Sequence, residues 1–134
     1  MAKAKFSWEM DSWGIYKNWD KSSKLLPKIT KFTETIPARI GIEFGYVLKI
    51  KKAKGKKLYY CIEHPLFLDD NGEISPPFDG EIYVKSNDWD FYLGDSIWEP
   101  THDKIGTWRL ITKIDDILVA DKSFDIVQDE GEED

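Results

Sequence analysis

The stretch IGTWRLITKIDDILVADKSFDIV, residues 105–127, decides the fold. Two extended arms flank Asp115-Asp116, a pair suited to a tight turn. On the first arm Trp108, Leu110 and Ile114 share a parity, interrupted by Thr112. On the second, Leu118, Ala120, Phe124 and Ile126 share the facing parity, interrupted by Lys122. Alternate side chains of an extended chain point the same way. Matched apolar faces on both arms therefore predict a hairpin lying on a common core. Lys122 in that register predicts a local bulge or an edge position, where a charge also blocks unwanted pairing.

The same period of two runs outward. In RIGIEFGYVLKI (39–50) the even positions Ile40, Ile42, Phe44, Tyr46, Leu48 and Ile50 are all apolar. KKAKGKK follows, and Gly55 can turn the chain into a return strand, KLYYCIEHP, which Pro65 ends. LFLDDNGEISPPFDG is rich in turn formers and reads as a long loop. EIYVK (81–85) and WDFYL (89–93) read as short strands, and SWGIYK (12–17) as a first one. The N-terminal third shows no sustained helical period. The expectation is an all-β antiparallel sandwich of about 6–8 strands with little or no helix. The spacing leaves the strand order open.

The chain has 134 residues and 15.6 kDa, 41% apolar and 14% aromatic, which fits one globular domain. We assign residues 1–11 to an N-terminal extension, 12–127 to the sandwich and 128–134 to a disordered acidic tail. That tail holds five carboxylates, most of a net charge of −6, so the rest is nearly neutral. The one cysteine, Cys61, excludes an internal disulfide framework. The first residues lack a continuous apolar run, and no stretch approaches the roughly 18 apolar residues of a membrane span. The expected setting is cytoplasmic.

Few constellations carry chemistry. His64 and His102 each stand beside a carboxylate, but their spacing does not bring them together, and the expectation is two strand-end histidines and no metal. Cys61 lies mid-strand with no adjacent base and reads as a structural thiol. DDNGE (69–73) matches a calcium loop only at Asp69 and Asn71 and reads as a turn. No phosphate-binding or nucleophile-elbow motif occurs, and no cofactor is expected. Six lysines, Lys49, Lys51, Lys52, Lys54, Lys56 and Lys57, crowd one hairpin tip. A solvated tip is the leading reading, with binding of polyanions or docking of the acidic tail as alternatives. Trp8, Trp13 and Trp19 cluster in the weakly patterned N-terminal segment. They either cap the core or form a binding contact.

The elements IPARIGIEFGY (36–46), HP (64–65), IWEP (97–100), GTW (106–108) and LVADKSFDIV (118–127) occur in order. Together they resemble an uncharacterised bacterial family classed as a domain of unknown function, over residues 12–127. Pro37, Arg39, Gly41, Gly45, Trp98, Glu99, Gly106 and Trp108 match its motif, while Ile105 stands where the pattern has proline. The resemblance implies an immunoglobulin-like sandwich, no catalytic residues, and a structural role for the motif. Arg39 is expected to pair with Glu99, and Trp108 to fill the core. The leading expectation is a non-enzymatic interaction or scaffold domain, monomeric or homodimeric, with a protein partner and neither nucleic acid nor membrane. The alternatives are an aromatic platform for a saccharide or peptide, and a hydrolase or metal enzyme whose site shows no motif.

Overall fold

A computed structural model of the chain describes residues 6–17 and 26–129. Nine strands lie among these residues: β1 (Ser7–Tyr16), β2 (Ile29–Lys31), β3 (Thr35–Pro37), β4 (Glu43–Lys51), β5 (Lys57–Glu63), β6 (Phe78–Tyr83), β7 (Asp88–Ser96), β8 (Gly106–Ile114) and β9 (Ile117–Val127). They form two sheets, ordered β2-β1-β4-β7 and β3-β9-β8-β5-β6. Among the described residues only the short β3–β9 pair is parallel. A single 3₁₀ turn, His102–Lys104, is the helical element of the described residues. The expected all-β sandwich is the fold.

The period-two faces meet between the sheets. Phe44, Tyr46, Leu48 and Ile50 of β4 are fully buried, as are Trp108, Leu110 and Ile114 of β8 and Phe124 of β9. The Phe44 ring meets Trp108 edge to face at 5.4 Å, the geometry favoured by aromatic quadrupoles. Thr112 interrupts the apolar parity because its Oγ1 lies 2.6 Å from the Tyr46 hydroxyl, a polar bridge between the sheets. Burial pushes the Tyr46 hydroxyl well above the ordinary tyrosine range. Either Thr112→Val or Tyr46→Phe leaves one buried hydroxyl unpaired and costs about 1–3 kcal/mol. The double variant leaves neither unpaired, so its loss falls short of the sum of the singles. Urea denaturation of all four proteins reads that coupling.

The β8–β9 turn has φ of 50° at Asp115 and 68° at Asp116. Two positive values suit the strand twist of a two-residue hairpin, and Asp tolerates them. The bulge lies elsewhere than the sequence suggests. Thr112 faces Ala120 and Lys113 faces Leu118, so Val119 is the extra residue. Val119 is buried and Leu118 turns outward, 50% exposed, against the expected parity. Lys122 holds the edge position instead, since β3 covers β9 only over Asp125–Val127. Its amine sits 5.0 Å above the Trp13 ring and pairs with Glu34, bridging the two sheets at their open side.

Two boundaries differ from expectation. β1 pairs with β4 from Ser7 onward, so residues 7–11 belong to the sheet rather than to an extension. Ile40 precedes β4 and is 56% exposed rather than part of its inner face. Val47, on the outward parity, is buried with Tyr16 and Tyr92 beneath Leu26 and Ile29. On that outer face Tyr92 donates to Glu43 Oε2 at 2.5 Å, and Ser12 Oγ lies 2.7 Å from the Tyr16 hydroxyl.

Strand register sorts the connections into two poles. Ser7 pairs with Lys51, so β1 starts beside the β4–β5, β6–β7 and β8–β9 turns. β9 ends at Val127 beside Pro37, at the pole of the β3–β4, β5–β6 and β7–β8 loops. The lysine-rich tip occupies the first pole. Lys49 pairs with Asp90, Lys51 with Asp88, Lys56 with Asp115 and Lys57 with Glu81, so most of its charge is met locally. Exposed pairs of this kind add at most about 1 kcal/mol each, and their effect here is neutralisation. Asp129 lies at the opposite pole on Arg39. Residues 130–134 lie outside the described residues. The alternative in which the acidic tail docks on the lysine tip falls on these residues.

Candidate functional site

The family-motif residues gather at the loop pole, where an aromatic cage closes around a lysine. Lys104 is 1% exposed. Its amine lies 4.4 Å from the Trp98 ring centroid and 4.7 Å from that of Phe67. It donates to Asp103 Oδ1 at 2.7 Å and to the Pro100 carbonyl at 2.9 Å. A buried ammonium needs such partners to offset lost hydration. Trp108 Nε1 donates to the Lys104 carbonyl at 2.8 Å, which ties the core to this loop. The Glu99–Pro100 peptide is cis.

The β5–β6 loop packs on the cage from the other side. Phe67 plugs inward, and His64 stacks on it with ring centroids 4.2 Å apart. His64 Nδ1 and Nε2 each lie 2.8 Å from a backbone carbonyl, Pro65 and Pro76 respectively, so its ring clamps both ends of the loop. Gly106 explains the coupling of the HP and GTW motifs: a Cβ there would stand 2.7 Å from Pro65 Cγ. At the tip, Asp69 Oδ1 accepts from the Asn71 and Glu73 amides at 2.8 and 3.0 Å, so DDNGE is the expected turn. Leu68 and Ile74 form a bridge beneath it.

This ordered loop holds aliphatic side chains in water. Leu66, Leu68 and Ile74 are 73%, 60% and 62% exposed. With Ile40, Ile105 and Val127, six of the ten large exposed hydrophobics among the described residues stand at this pole. A shallow cleft of about 400 Å³ runs between Ile40, Glu99, Pro100 and Thr101. Arg39, next to Ile40, makes a two-pronged bond, Nε and Nη2 each 2.9 Å from Asp129, rather than pairing with the expected Glu99. The first carboxylate of the acidic tail is thereby held. His102 is exposed and lines a neighbouring cleft with Ala38 and Asp129.

The remaining candidates fall elsewhere. Trp13 is half-buried, packed on the core and edge to face with Phe32 at 5.0 Å. Trp8 is 37% exposed beside Phe6. Trp8 and Trp13 register with Ile50 and Tyr46, so both lie on the inward side of β1 and form no exposed row. Trp19 lies outside the described residues. Cys61 is buried on the outer side of β5, where burial pushes its thiol up and away from nucleophilic character. Among the described residues no group of three His, Cys, Asp or Glu side chains converges on a metal-sized site.

On the outer side of the second sheet, Arg109 grips Asp121 with bonds of 2.8 and 2.6 Å. Those bonds hold the Asp121 carboxyl below the usual carboxylate range, against a smaller opposing effect of partial burial. A carboxyl depressed on folding adds stability above its unfolded value, about 4, and loses it as pH falls through the folded value. Asp121→Asn should therefore flatten the decline of Tm between neutral and strongly acid pH. Thermal melts across that range check it; an unchanged slope would rule the pair out as a contributor.

Comparison with known proteins follows the geometry. The model of a family described as a domain of unknown function, DUF3859, matches residues 4–126. The chain belongs to the DUF3859 family. No curated protein matches this DUF3859 chain. Its fold is similar to the crystal structure of an immunoglobulin-like protein from Pseudomonas aeruginosa, with a TM-score of 0.71 and 21% identity. That match covers 90% of this chain and 97% of the other. The DUF3859 domain is thus an immunoglobulin-like sandwich. No helix of its described residues is long and apolar enough to cross a membrane. Of the motif residues, Trp98, Glu99, Arg39, Gly41 and Gly106 lie in or at the ends of the loops of this pole, Trp108 fills the core beneath it, Pro37 lies in β3 and Gly45 in β4. Sequence reading missed Lys104, Phe67 and Leu66. The signal that could have found Leu66 and Leu68 is their position flanking Phe67, outside any strand.

Proposed function

We propose that this domain is a non-enzymatic binding module that engages another protein through its loop pole. The observation that supports this is a braced loop presenting Leu66, Leu68 and Ile74 to solvent. The His64 ring, set between the Pro65 and Pro76 carbonyls, and the Asn71 amide donating to Asp69 brace the loop in this shape, so the aliphatic side chains stay outside the core. Contiguous exposed apolar surface on a soluble domain marks an interaction site, and loops on a rigid sandwich are where such domains bind. The one cysteine, buried and unpaired, supports a reducing, cytoplasmic setting.

A photo-crosslinking residue placed at Asn71 in the native cell tests this. Protein adducts should form there and not from Lys113 on the outer side of β8. A Leu66→Ser/Leu68→Ser variant should melt at the same temperature and lose the adducts. No adduct at Asn71, or adducts indifferent to these substitutions, defeats the reading.

A further inference from the structure

The charge around the exposed aliphatics selects among partners. From Glu63 to Val84 the chain carries six carboxylates and no lysine or arginine. Asp69 spends its carboxylate on two backbone amides of the turn. Asp70 and Glu73 stand exposed at the tip beside Leu68 and Ile74. Among the described residues neither is joined to a cation by an ion pair. Lys104 is buried in its cage on Asp103, and Arg39 is held by Asp129. The loop therefore offers an apolar centre with an acidic rim, preformed by its own hydrogen bonds.

We propose that the β5–β6 loop docks a segment of partner protein in which aliphatic side chains alternate with lysine or arginine. Aliphatic groups of the partner cover Leu66, Leu68 and Ile74, and its cations meet Asp70 and Glu73. The same charge disfavours the other occupants. A second copy in two-fold contact brings Asp70 and Glu73 against themselves. Nucleic acid and anionic lipid meet like charge. A preformed loop also lowers the ordering cost on the domain's side of the contact.

This inference rests on the interaction reading above, and its test separates the two. Charge reversal, Asp70→Lys with Glu73→Lys, should leave the melting temperature unchanged and cut the Asn71 crosslink adducts at least ten-fold. The neutral pair Asp70→Asn/Glu73→Gln should fall between. Selection of a random peptide library on the purified chain should enrich sequences that interleave lysine or arginine with leucine, isoleucine or valine. Those peptides should bind the Leu66→Ser/Leu68→Ser variant at least ten-fold more weakly. Adducts that persist after charge reversal, adducts of the chain with itself, or enrichment of acidic or uncharged peptides would overturn the basic partner while leaving an interaction surface standing. Absence of any Asn71 adduct would remove the surface itself.

Discussion

Trp108→Ala lowers the unfolding free energy by about 3–5 kcal/mol. The indole is fully buried and sits between Phe44 at 5.4 Å and Trp98 at 6.2 Å, with Phe67 and His64 on its other contacts. Truncation opens a cavity where the core joins the loop pole, and it strands the Lys104 carbonyl that Nε1 serves. Domains of this size have about 5–15 kcal/mol in all, so the variant retains a small margin. Trp108→Phe separates the two contributions. It keeps most of the packing and gives up the hydrogen bond, for a smaller loss of about 1–3 kcal/mol. Urea titration of the three proteins measures both steps. Near-equal stability of the alanine variant and the parent would mean that the ring does not hold the core together.

Gly45→Ala is the second large effect, about 3 kcal/mol or more, from overpacking added to a strained backbone. Gly45 lies mid-strand in β4 with φ of +155°. A Cβ built there stands 2.1 Å from the Leu93 carbonyl oxygen and 2.6 Å from Gly94 Cα. Both are backbone atoms of β7, which cannot rotate aside as a side-chain tip can. The β4–β7 pairing has to part or shift, so the amides of β7 should lose protection together. Hydrogen exchange followed along Asp88–Ser96 distinguishes this from uniform destabilisation; unchanged protection there would show that the sheet absorbs the extra methyl.

Sequence patterning reached the architecture because it depends on parity, and parity is written plainly in β4, β8 and β9. It failed where the backbone departs from a regular pleat. The bulge at Val119 flips Leu118 outward, and nothing in the residue types there marks the extra position. Lys122 drew attention as the anomaly, yet its charge is explained by an open edge, a tryptophan face and Glu34. Val47 received no reading, since its outward parity gives no sign of the cover that Leu26 and Ile29 supply. β2 and β3 are three residues each, too short for any period to show. The pole was partly legible: the motif residues named its corners, and Trp108 was placed in the core. Lys104 escaped because a lysine in a turn looks solvated until the folded chain sets two rings and a carboxylate around it.

The domain's first and last strands leave at opposite poles, and this governs how the protein can be handled. Anything fused beyond Val127 emerges among the loops that carry Leu66 and Ile40, and a bulky reporter there would sterically mask them. A handle joined ahead of Phe6 hangs from the lysine end and leaves them free. Immobilisation through the N-terminal side thus presents the far face to solution, whereas C-terminal capture turns it toward the support.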